Sequence, residues 1–369
     1  MKLKIFENSV RLTYSISEYL RMGETTLESI NFIETDLIPE MVHNRCFCES
    51  GSREFVEFES VSVRPLITSR VNKTRELYRG KVIIRFSGEP KSFDIIIKLL
   101  PTSCQDDDRA YGSFLNEEMF YNKMTAKFKL NIYPKCYAAD MGRYGRPVVV
   151  LEDLEAVGYR HLSTKLDGNH LKLLLQAIAE FHACGIDLKH KEFSIFREFY
   201  AKLIETKSDG DKYMEKFYRA LHILKENESE YVERLRRELG SREMRCEANE
   251  NPFFTICHGN LDLNHSLFFY DGERPISVQI LGWNRMVYTS PTIDLESILR
   301  ETQLEKNCIT EIHKNFDDYF DTLFSSSTTL KNEGLRMFFR AIFVFLVFST
   351  IPESPENEHE LINFLNSLL

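Results

Sequence analysis

Apolar positions recur along this chain with two different periods, and the changes between them divide it. Between Thr26 and Leu37 they fall at helical spacing and Pro39 marks an end, so residues 1–50 read as a helical extension. From Phe55 the period shortens to two. Phe55–Glu59, Lys81–Phe86 and Phe93–Leu99 read as strands, the last two separated by the turn-rich run Ser87-Gly88-Glu89-Pro90, which predicts an antiparallel sheet. The acidic loop Gln105–Asp108 leads into Phe114–Tyr121. There Leu115 and Met119 stand four apart and Phe114 and Tyr121 seven apart, the signature of a helix with one buried face. Arg146–Leu151 is again a strand and runs into Glu152–Glu155.

After Glu155 helical spacing dominates, over Leu171–Phe181, Ile195–Leu203, Tyr213–Arg237, Thr310–Phe324 and Leu335–Phe348. One hairpin interrupts it, Ser266–Tyr270 with Ile276–Leu281, joined through the turn signal Asp271-Gly272. The expected fold is α+β: a sheet-rich lobe over residues 51–155 and a mainly helical lobe over 156–369 that carries the hairpin.

Composition narrows the functional classes. A length of 369 residues, 43% of them hydrophobic and 28 of them phenylalanine, suits two lobes with a sizeable core. A net charge of −9 argues against a nucleic-acid partner, because phosphate backbones attract basic surfaces. The cysteines are scattered. The closest pair, Cys46 and Cys48, has no second pair at zinc-site spacing, which fits reduced thiols and a cytoplasmic location. Met1–Glu7 takes on charge too early for a signal peptide. The apolar run Ala341–Ile351 is about half of what a bilayer crossing needs, so it reads as a buried helix and no membrane span is expected.

The chemistry-bearing segment is Cys257-His258-Gly259-Asn260-Leu261-Asp262-Leu263-Asn264-His265, followed by the strand that ends in Leu281-Gly282-Trp283-Asn284. With it, in order, come Ile96-Ile97-Lys98-Leu99-Leu100-Pro101, the Phe114-Leu115-Asn116-Glu117-Glu118-Met119-Phe120-Tyr121 helix, Val150-Leu151-Glu152-Asp153-Leu154, Gly158-Tyr159-Arg160, Phe181-His182-Ala183 and Ser290-Pro291 with Asp294-Leu295. These anchors, over roughly residues 55–300, resemble the ecdysteroid kinase-like (CHK kinase-like) family, which is related to choline kinases and aminoglycoside phosphotransferases. The resemblance implies a protein-kinase-like two-lobe fold, ATP as the nucleotide, Lys98 on its phosphates, Glu117 as the partner of Lys98, and hinge backbone around Asp153, Leu154 and Glu155 receiving the adenine. His258 and Asp294 would brace the catalytic loop, and His182 would be packing.

Where the family's His-Gly-Asp-x-x-x-x-Asn loop supplies a catalytic Asp and a metal-binding Asn, this chain has Asn260 and His265, and the later metal-binding Asp falls on Gly282. An amide cannot accept the hydroxyl proton, and losing a general base costs about 10²- to 10⁴-fold in rate. Magnesium favours hard oxygen ligands, so imidazole at His265 suits it poorly and a glycine offers nothing. The family's phosphate-covering turn corresponds to Arg70–Arg79, with Arg70 and Arg75 replacing small residues. Asp262 is the one nearby carboxylate that could substitute for the base, although a turn-capping role suits it better. The expectation is a pseudokinase that binds a small lipophilic molecule, a metal-free nucleotide or a protein. Two readings stay open beside it: a divergent ATP-dependent kinase of steroid-like alcohols, and an interaction module with an empty nucleotide cleft.

Overall fold

The computed structural model describes residues 24–66, 74–204, 254–302 and 309–330. The expected helices Tyr213–Arg237 and Leu335–Phe348, the run Ala341–Ile351, the N-terminal Met1–Glu7 and Arg70 lie outside the described residues. Contacts divide the chain into two units: Met1–Gln105 with Lys135–Asp153, and Asp106–Pro134 with Leu154–Leu369. The described part of the first unit is mainly antiparallel sheet and that of the second mainly helical, which is an α+β fold.

The first unit opens with α1, which runs over Glu24–Phe32, passes through a π-helical turn at Ile33–Leu37 and finishes over Ile38–His43. Pro39 therefore does not end this helix. The widened turn, closed by the Ile38 amide on the Ile33 carbonyl, loosens the backbone where a proline ring collides with the carbonyl four residues back. Behind α1 lies an antiparallel sheet of β1 (Val56–Pro65), β2 (Glu76–Phe86), β3 (Glu89–Leu99), β4 (Cys136–Asp140) and β5 (Val148–Glu152), in the order β1-β2-β3-β5-β4. The tight turn between β2 and β3 is only Ser87-Gly88, both at positive φ, so Glu89 and Pro90 belong to the strand and pair with Phe86 and Arg85.

Alternation explains the packing. Val82 and Ile84 on β2 and Ile95 and Ile97 on β3 point to one side and are fully buried with Ile33, Leu37 and Met41 of α1. A polar link joins the same elements: Glu76 Oε2 accepts from Ser29 Oγ at 2.6 Å, Tyr78 Oη at 2.9 Å and Arg146 Nη2 at 3.1 Å. The arginine brings a compensating charge to a half-buried carboxylate, which makes its burial tolerable.

The second unit begins with α2, Asp108–Met119, which continues through a π-helical turn at Phe120–Met124 into Thr125–Phe128. Asp107 caps it, its Oδ1 accepting the amides of Arg109 and Ala110. Short β6 (Arg160–His161) pairs with β8 (Ser266–Asp271), and β8 with β9 (Arg274–Ile280). The turn of that hairpin centres on Gly272-Glu273, one residue later than the Asp271-Gly272 signal. The long α3 (Gly168–Lys191) leads into α4 (Phe193–Lys202). β7 (Thr255–Cys257) pairs with β10 (Val287–Thr289), and α5 (Thr292–Arg300) and α6 (Ile309–Ser326) complete the unit, with α6 packed along α3. Trp283 is the centre of an aromatic core, stacked on Phe120 at 4.1 Å between ring centroids and flanked by Phe181 at 4.6 Å. No helix among the described residues is long and apolar enough to cross a membrane.

Candidate functional site

The loop that follows β7 is built on one carboxylate. Asp294, in the first turn of α5 and wholly buried, accepts the His258 amide on Oδ2 at 2.7 Å and the Gly259 amide on Oδ1 at 2.8 Å. His182 Nε2 reaches Oδ2 at 3.0 Å, while its Nδ1 meets Tyr319 Oη at 2.9 Å. Three hydrogen-bonding groups converging on this buried carboxylate satisfy its oxygens and fix the loop's entry. Gly259 is required here: its φ is +79°, and a Cβ would lie 2.1 Å from the Arg285 carbonyl oxygen. His182, Cys257 and Asp294 form a buried cluster of metal-ligand types, but the histidine and carboxylate contacts just described satisfy it internally.

His258 is fully buried and donates from Nε2 to the Leu281 carbonyl at 2.8 Å. Its Nδ1 accepts the Asn260 amide at 3.3 Å. Burial first, and His265 nearby, push its pKa down to about 4 against the pull of Asp294, so it is a neutral brace between this loop and the end of β9.

Asn260 and His265, the positions expected from the sequence to carry the base and a metal ligand, come together beside it. Asp262 caps the single 3₁₀ turn Leu263–His265, its Oδ1 accepting the Asn264 amide at 2.9 Å. The same oxygen lies 2.7 Å from His265 Nδ1, which donates to it; Asn260 Nδ2 is 3.4 Å from that nitrogen. Burial opposes ionisation of Asp262, and the bonds from His265 and Asn264 prevail, holding its pKa near 2. Asp262 is thus both the turn cap and the anchor of an imidazole.

Gly282 follows β9 at φ +78°. A Cβ built there meets His265 Cδ2 at 2.3 Å and Nε2 at 2.8 Å. The imidazole therefore stands where a side chain at position 282 would project. A hard divalent cation does not fit these residues: one of the two positions offers no ligand atom and the other's ring occupies its space. Sequence reasoning found both substitutions but not their contact.

The remaining expected residues fall as follows. Lys98 lies on β3 of the first unit, nearly buried and in register with Leu77 and Val149. Glu117 lies on the buried face of α2 in the second unit. Asp153 engages Arg79 Nε at 2.6 Å through its carboxylate, and its amide donates to the Asp94 carbonyl at 3.0 Å. The Leu154 and Glu155 carbonyls accept the Tyr159 and Gly158 amides in a tight turn. Asn116 of α2, which had no assigned role, binds the Asn284 carbonyl through Nδ2 at 3.2 Å and exchanges two hydrogen bonds with Ile204. It ties the helix to the segment after Gly282.

No curated protein matches the chain. Among solved structures, the GDP complex of aminoglycoside 2'-phosphotransferase-IIIa is 13% identical, with 90% of this chain and 99% of that one covered and a TM-score of 0.36. The microcompartment-associated aminopropanol kinase is 13% identical over 83% of this chain and 89% of that one, at a TM-score of 0.36. Choline kinase from Cryptosporidium parvum Iowa II is 11% identical over 84% and 87%, at 0.37. The profile of the ecdysteroid kinase-like family matches residues 74–332, well over half of the sequence and across every site segment described above, and the chain belongs to that family.

Proposed function

We propose that this protein is a pseudokinase of its family, one that acts by binding and has lost metal-dependent phosphoryl transfer. The observation that carries the reading is the His265 ring in the place of a side chain at position 282. Phosphoryl transfer depends on positioned cations and carboxylates to neutralise the moving phosphoryl group, and this loop presents an amide at Asn260 and an imidazole at His265 instead. Lys98 and Glu117, with the hinge at Asp153, Leu154 and Glu155, are the residues that would take a nucleotide such as ATP. A small lipophilic molecule or a protein is the other ligand class consistent with a loop that no longer reacts.

One contact favours a second reading. Asp262 orients His265 at 2.7 Å in the manner of a carboxylate–imidazole pair, so a divergent kinase acting on a steroid-like alcohol would draw on these two groups. Thermal-shift titration of the full chain with ATP separates the readings, run with Mg²⁺ and with chelator. The pseudokinase reading expects equal stabilisation in both, lost in Lys98→Met. Metal-dependent stabilisation, together with γ-phosphate transfer to an alcohol that Asp262→Ala abolishes, would overturn it in favour of the kinase. No response under either condition would point to an interaction module.

A further inference from the structure

The geometry points to His265 and Gly282 as one interlocked pair: we infer that the imidazole plugs the cation pocket, so the site is closed by protein and not merely short of a ligand. This rests on the reading that metal-dependent transfer is lost, and adds the physical means by which it is lost.

Three observations support the interlock. The first is the contact itself, 2.3 Å and 2.8 Å from a Cβ at position 282 to ring atoms of His265, far inside the separation that carbon and nitrogen tolerate. The second is that the ring is held. Its Nδ1 donates to Asp262 Oδ1, and the Asp262 carboxylate is itself fixed by the Asn264 amide, so swinging the imidazole aside breaks a charge-assisted bond. The third is that the two backbones are locked together. The Leu281 amide donates to the His265 carbonyl at 2.8 Å, and Ser266 pairs with Ile280 in the β8–β9 ladder, so positions 265 and 282 cannot drift apart to make room.

Order matters as a result. Placing a carboxylate at position 282 while His265 remains drives two side chains into one volume. Replacing His265 first with a smaller amide vacates that volume, after which an acid at 282 has somewhere to go. Left-handed backbone at 282 adds a penalty to any side chain, and aspartate and asparagine bear it better than most residues. That penalty is the same in either background, so it cancels when the two are compared.

A double-mutant cycle on the full chain tests the inference, with thermal unfolding and binding of Mn²⁺ alone as readouts. Gly282→Asp in the wild-type background is expected to lower Tm by more than about 5 °C, and by less than half as much in the His265→Asn background. Should Gly282→Asp fail to fold, Gly282→Ala carries the same clash in a single methyl and is put through the same cycle. Mn²⁺ is expected to bind His265→Asn/Gly282→Asp at least about tenfold more tightly than Gly282→Asp alone. Equal Tm losses in the two backgrounds, or equal Mn²⁺ affinity in the single and double variants, would overturn the interlock while leaving the pseudokinase reading intact. Conversely, γ-phosphate transfer by the wild type would sink that reading without touching the Tm cycle.

Discussion

At Asp262 one oxygen does two jobs, and acid titration reads how much they are worth. In the unfolded chain its carboxyl titrates near 3.8, and in the folded protein near 2 because His265 and Asn264 donate to it. A depressed carboxyl contributes stability that is present above pH 3.8 and is lost as pH falls through about 2. Allowing for its partial exposure to solvent, the contribution is about 1 kcal/mol. Asp262→Asn should therefore be less stable than wild type at pH 6 and should lose less on going from pH 4 to pH 2, as urea midpoints at each pH would show. Spacing alone placed this carboxylate in the loop. Its partner is not legible there, because whether the side chain three residues on, His265, turns back toward it depends on the 3₁₀ turn and on the space left open at Gly282, seventeen residues beyond that histidine.

At the scale of elements, local chemistry was legible and long-range compensation was not. The β2–β3 and β8–β9 hairpins follow from alternation and turn residues, and α3, α4 and α6 from helical spacing. The first half of β2 does not show in the alternation, because Glu76 and Arg79 break the apolar pattern. Each is satisfied by a partner about seventy residues away, Glu76 by Arg146 and Arg79 by Asp153, which no window of sequence contains. Pro39 misled for a related reason: a proline signals a helix end only while the helix keeps its regular register, and the π-helical turn at Ile33–Leu37 abandons it. The β2–β3 turn offers a test. Ser87 adopts φ +51° in a two-residue hairpin, a conformation that asparagine tolerates better than serine. Ser87→Asn should raise stability by about 0.5 kcal/mol, visible as an increased denaturant midpoint with an unchanged slope.

The molecule as a whole should carry a pH signature from one amine. Lys189, near the end of α3, is almost completely buried and donates to the Phe254 carbonyl. Burial, against a smaller pull from Cys257, brings its pKa down from 10.5 to about 7. Between those values the unfolded chain holds a proton that the folded chain has released, so stability rises with pH across this window and the gain is lost as pH falls through about 7. Lys189→Met should flatten the rise in denaturant midpoint between pH 7 and pH 9.5 while keeping the fold, because the replacement fills a similar volume without a charge to desolvate.

The Asp294 clamp bears on what a family match measures. Its carboxylate gathers His182, His258 and Gly259, and none of these needs to touch a substrate for the loop to take its shape. A profile weighted toward such residues reports that the loop is assembled and is silent on whether it reacts. On the pseudokinase reading proposed above, assembly and reactivity come apart in this loop, and a motif match then counts a folded scaffold without counting an enzyme.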